Sequence, residues 1–295
     1  MRRHLAIVKA TALEMLSEPL SLLTLLAALT IVVLAPAFHY HQFGEATRMA
    51  RDAGFSALFT CGGVLAVFGT IRAVRHEVES GTLEMALVRP VSRGGFFLAK
   101  AFGALVACLV FSSVVFLTAL VIVEGAAIGG EIARTSGDLA RLWGPCFAAG
   151  VGILVLPLVI GAALNRFFRC RFVLSSFVLA AGLSAAAAGW VVWRDAGLLS
   201  RLLPAAVLIL ALLTVLLFAA AAFAVRWRAN AAAAAVGIVA AMLVPAVGNY
   251  YMSDALANGG RVPWDYVGMA ALAALPAVLL FAALGIHFTG RRGVA

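Results

Sequence analysis

Eight stretches of this chain carry no lysine, arginine, aspartate or glutamate and are rich in apolar residues: Pro19–Phe38, Phe55–Ile71, Ala101–Val123, Leu142–Leu164, Phe172–Trp193, Leu202–Val225, Ala229–Tyr250 and Tyr266–Phe288. About 20 such residues cross the roughly 30 Å hydrocarbon core of a bilayer as a helix. Backbone groups left unpaired in lipid are costly, so these stretches are expected to be helical. Of the 295 residues, 64% are hydrophobic and 12% charged. A soluble domain carries about 25% charged residues, so this chain lacks the polar groups to cover a water-facing surface. The expected fold is all-α: a polytopic helical membrane protein of about eight spans, forming one transmembrane domain over residues 1–295.

The basic residues set an orientation. With the N-terminus in the cytoplasm and eight crossings, 15 of the 22 lysines and arginines fall on the cytoplasmic side and 7 outside. Both termini are then cytoplasmic. The net charge of +9 is spread in short clusters between apolar runs, which suits topology signals and anionic-lipid contacts rather than nucleic acid. The first 18 residues differ from the spans. Leu5, Val8, Ala12, Met15 and Leu16 recur at three- and four-residue steps among charged neighbours, predicting a helix that lies in the interface. Pro19 suits the turn into the first span. The start has no short apolar core followed by a small-residue cleavage site, so no removable signal peptide is expected.

Catalytic and cofactor chemistry find no foothold. Cys61, Cys108, Cys146 and Cys170 form no C-x-x-C pair and read as small hydrophobes. His76–Ser80, HEVES, lacks the second histidine of a zinc motif, and His39 and His41 read as interfacial residues. No Gly-x-Ser-x-Gly elbow and no Gly-x-x-x-x-Gly-Lys-Ser/Thr phosphate loop occurs. No cofactor or metal is expected, and the chain itself is not expected to be an enzyme. Ionisable groups at mid-membrane depth would mark an ion path. Here Glu124 and His287 lie near span ends, which favours an external energy source.

The densest information lies in Ile71–Gly103, IRAVRHEVESGTLEMALVRPVSRGGFFLAKAFG. Val74, Val78, Met85 and Val88 mark one helical stripe, Gly81 breaks it, and Thr82 is suited to cap a new short helix. Pro90 ends that helix, Ser92–Gly95 reads as a turn, and Phe96 opens the next span. Such a segment, 72–100, is either a solvated connector or a rigid peg that docks in a partner.

The run Glu77–Arg93, EVESGTLEMALVRPVSR, followed by Lys100, resembles the cytoplasmic loop of type-2 ATP-binding-cassette (ABC) transporter permeases. The stretch from Asn249, with its aromatic-led last helix ending at Phe288 and Arg291–Arg292, is similar to the end of such permeases. The resemblance implies a six-span core, with an extra pair here around Phe172–Val225. It implies a permease subunit of an ATP-driven transporter, an exporter in a bacterial inner membrane. Two permease copies would face each other above separate ABC ATPase subunits. Glu77, Glu79, Gly81, Thr82, Leu83, Arg89, Pro90 and Arg93 would then be the ATPase-coupling residues. The alternatives are a membrane anchor for an ATPase that transports nothing, and a secondary transporter driven by an ion gradient. In a cysteine-free background, Thr82→Cys should react with a membrane-impermeant maleimide only from the cytoplasmic face; labelling from the opposite face would invert the topology.

Overall fold

A computed structural model describes residues 2–36, 46–79, 92–136, 145–227, 229–248 and 262–291. Every regular element among the described residues is helical. The chain runs through α1 (Arg2–Ser17), α2 (Pro19–Leu34) and α3, which spans Ala46–Val64, a π-turn at Leu65–Gly69, and Thr70–Glu79. It continues through α4 (Arg93–Ser136), α5 (Pro145–Phe168), α6 (Phe172–Arg194), α7 (Ala196–Arg226), α8 (Ala229–Gly248) and α9 (Trp264–Arg291).

Each of the eight apolar stretches coincides with a helix. Among the described residues six helices, α3 to α7 and α9, are long and apolar enough to cross a membrane. The pair α1–α2, bent by 62° at its break, would make a seventh if taken as one span. The 16 residues of α2 rise only about 24 Å, short of the hydrocarbon thickness.

Helices in lipid gain little from hiding apolar side chains, so close backbone approach and side-chain fit hold them together. In their most apolar windows α7 is 72% buried, α4 67% and α3 61%, which makes these three the centre of the bundle. The corresponding values for α5, α6 and α9 are 22%, 28% and 17%, so these helices form the rim. At the centre, a Cβ on Gly54 of α3 would stand 2.8 Å from Ala119 of α4, and one on Gly62 2.9 Å from Leu213 of α7. Phe102 of α4 meets Phe218 of α7 edge-on at 6.0 Å, and Phe111 lies 6.5 Å from Phe177 of α6. On the rim, Gly150 of α5 receives Ile122 of α4 and Val33 of α2, and Gly161 abuts Ser176 of α6. Nearby Gly152 faces only a leucine of its own helix, and Ala162 is exposed, so small size alone does not mark a contact.

Helix α1 packs on the bundle rather than standing apart from it. Thr11, Ala12, Met15 and Leu16 are buried, whereas Leu5 is 67% exposed. The apolar face expected to meet lipid therefore turns mostly onto protein. Its seat on α4 is a row of small residues one turn apart: Gly95, the buried Ala99, and Gly103. A Cβ at Gly103 would lie 2.6 Å from Thr11 Cβ and 2.8 Å from the Val8 carbonyl oxygen. Because the second neighbour is backbone, Gly103→Ala should cost about 1–3 kcal/mol, as overpacking does. Gly182→Ala, with open space around it, should be neutral or slightly stabilising. Thermal unfolding in detergent compares the two; equal midpoints would refute the close α1–α4 approach.

Candidate functional site

The ends of α3, α4, α7 and α9 that bear Arg72, Arg75, Lys100, Arg226 and Arg291 gather at one face of the bundle, where α1 packs mainly on α4. There α1 breaks at Ser17–Glu18, because Pro19 at the first turn of α2 suits a new start. The break is tied internally: the Ser21 hydroxyl donates to the Met15 carbonyl, and Thr24 Oγ1 donates to the Leu20 carbonyl at 2.9 Å. Met15 rests against Gly69, the last residue of the π-turn in α3. A π-turn widens a helix locally, and such bulges recur at functional positions.

Two ion pairs fasten α1 to the spans. Lys100 of α4 lies 3.7 Å from Glu14, with its side chain only 6% exposed. Arg72 of α3 lies 3.3 Å from Glu18. Burial pushes the Glu18 carboxyl above its ordinary value of 4.5; Arg72 opposes this, Glu14 adds to it, and His76 opposes it. Around the same joint Thr11 Oγ1, Thr70 Oγ1 and Glu18 Oε2 are buried without a hydrogen-bond partner among the described residues. Of the five such atoms among the described residues, these three lie on α1, α3 and the α1–α2 break, and the others are Ser112 Oγ and Ser176 Oγ.

The segment between α3 and α4 leaves and re-enters this face through fixed ends. On the α3 side, Arg75 Nη1 donates to the Trp227 carbonyl, the C-cap of α7, at 2.7 Å. Trp227 stacks on Phe223 at 4.9 Å, and Phe223 meets Phe281 of α9 edge-on at 5.6 Å. On the α4 side, Ser92 is the N-cap: the Gly95 N–H donates to Ser92 Oγ at 3.2 Å and the Phe96 N–H to the Ser92 carbonyl at 2.9 Å. Gly94 touches Ile286 of α9, and Gly285 of α9 lies flat against the Phe97 ring.

These positions revise the local reading of the loop. Residues 72–79 continue α3, and 93–100 already belong to α4. Ser92–Gly95 is a helix cap with the first turn, not a turn preceding a helix at Phe96, because the serine hydroxyl meets an amide that the helix start leaves free. Glu77 and Glu79 occupy the last turn of α3, and Arg93 is the first residue of α4. Gly81, Thr82, Leu83, Arg89 and Pro90 lie outside the described residues, as do His39 and His41. Sequence reasoning missed the pairs Glu14–Lys100 and Glu18–Arg72 and the Arg75 bond, since each joins distant positions. The seat of α1 did leave a signal, small residues at 95, 99 and 103, at the four-residue spacing that close helix pairs use.

No group of three histidine, cysteine, aspartate or glutamate side chains among the described residues is placed to hold a metal. The arrangement is mechanical in character: two helix ends, each clamped to other helices, with a short segment between them.

Residues 7–183 match a family model described as ABC-2 family transporter protein. No curated protein and no solved structure matches the chain.

The elevated Glu18 carboxyl gives a pH signature. A folded-state value above the unfolded one means the site's contribution is full below about 4.5 and is lost as pH rises through the elevated value. Glu18→Gln removes that loss. The variant should therefore gain stability relative to the parent as pH rises from 4.5 towards 8; melting curves across that range in detergent check the slope, and a flat difference would mean that burial does not govern the group.

Proposed function

The chain belongs to the ABC-2 transporter family, as a membrane permease of an ABC transporter, and from that premise we propose that residues 80–91 form the docking peg for a separate ATPase chain. The observation that carries this reading is the clamping of both ends of that segment. A push on a loose connector dissipates in loop motion. A push between Glu79 and Ser92 passes into α3 and α4, the helices at the bundle centre. Arg75 hands it to α7 through Trp227, and Lys100 hands it to α1 through Glu14.

In this reading Glu77 and Glu79 at the end of α3, with Gly81, Thr82, Leu83, Arg89, Pro90 and Arg93, contact the ATPase. The carboxylates meet basic groups on the partner, and Leu83 fills an apolar socket. Two copies of the permease enclose the path, and the substrate leaves the cell. The protein sits in a bacterial inner membrane with both termini cytoplasmic. Support for the energy source comes from the sequence: the spans hold no mid-depth carboxylate chain, and no phosphate loop is present to bind ATP on this chain.

The test uses the permease purified with its ATPase. Glu79→Ala and Leu83→Ala should each lower transport-coupled ATP hydrolysis roughly ten-fold, the effect of losing one interface anchor. The melting temperature should stay unchanged, which separates lost docking from lost folding. Full coupling in both variants would remove the peg from the mechanism.

A further inference from the structure

The three-residue link between α5 and α6 carries a feature that the peg does not use. Asn165–Phe172 reads NRFFRCRF, and Arg166, Phe167, Phe168, Arg169, Cys170 and Arg171 are all exposed, the two phenylalanines by 77% and 73%. None of the three arginines makes an ion pair among the described residues. No acidic residue occurs anywhere from Leu139 to Arg194, so the hairpin has no internal counter-charge. The neighbouring helix α1 does not supply one, because Glu14 is engaged by Lys100 and Glu18 by Arg72.

Depth is fixed by packing. Gly150 of α5 touches Ile122 of α4. The same number of helical residues separates Gly150 from Arg169 as separates Ile122 from Gly103, and the two helices run antiparallel. Arg169 therefore lies at about the level of Gly103, where α1 crosses α4. The link is too short to rise above that level. Its guanidinium groups stand on the rim of the bundle at the level where α1 packs on α4, with two aromatic rings beside them. Arg169 also has φ 52, a left-handed conformation that favours glycine, and its N–H closes α5 on the Asn165 carbonyl at 3.1 Å. A charged side chain thus stands at a position whose backbone geometry favours glycine.

We propose that this turn is a binding site for an anionic phospholipid. The headgroup phosphate sits among Arg166, Arg169 and Arg171, and the acyl chains lie along Phe167 and Phe168. Guanidinium groups suit phosphate because they offer paired donors in one plane. The site does not involve segment 80–91 and stands whether or not that segment docks an ATPase.

The experiment equilibrates the purified full chain with mixed micelles of equal phosphatidylglycerol and phosphatidylcholine and counts retained lipids by native mass spectrometry. The parent should retain phosphatidylglycerol in preference to phosphatidylcholine. Arg166→Gln, Arg169→Gly and Arg171→Gln should each lower that preference about five-fold. Arg169→Gly is the cleanest, since glycine keeps the left-handed turn. The triple lysine variant, with charge retained, should keep most of the preference. Unchanged retention in the glutamine and glycine variants, or an equal loss in the lysine variant, overturns the site. Loss of a co-purified ATPase with phosphatidylglycerol retention intact also overturns it, and assigns the turn to a protein partner.

Discussion

The bundle depends on helices approaching closely enough for their backbones to touch. Lipid competes poorly for backbone hydrogen bonds and offers apolar side chains as good a home as protein does, so burial by itself orders nothing here. What remains is fit. At Gly103 the α4 backbone meets the α1 backbone at Val8, at Gly54 α3 meets α4, and at Gly150 α5 meets α4 and α2. Each contact exists because a side chain is missing. Within the central trio Gly54 admits α4 to α3 and Gly62 admits α7 to α3, while α4 meets α7 through Phe102 and Phe218.

At the basic face the same close approach has a second consequence. Because α1 sits directly on α4, Lys100 is drawn two turns into that helix yet still reaches Glu14, and a buried charge is tolerated by its partner. Because α3 bulges at Leu65–Gly69 and turns Gly69 towards Met15, Arg72 reaches Glu18 and Arg75 reaches the end of α7. The charged pairs thus follow from the packing and then lock it. The ends of α3 and α4 that flank residues 80–91 are thereby fixed to α7, α9 and α1.

Much of this was readable in the chain. The eight apolar stretches located eight helices because each is long, free of charge and bounded by polar residues, and a polar backbone in lipid has one local solution. The α1 stripe was readable for the same periodic reason, but its destination was not: Met15 and Leu16 could face acyl chains or protein, and only their neighbours decide. The cap at Ser92 was misread as part of a turn, because a serine before two glycines suits either. The first apolar stretch runs to Phe38 in the sequence, while the α-helix described there closes at Leu34.

The sequence by itself determined that the chain lives in a membrane, where its helices lie, and that it belongs to the ABC-2 family, because these follow from composition, period and contiguous runs of residues. The tertiary structure alone decided that α1 rides on α4, that Lys100 finds Glu14, and that Arg75 ties α3 to the carbonyl of Trp227. Those are pairings between positions far apart in the chain. No local preference encodes them, and they arise only when small residues let particular helices meet.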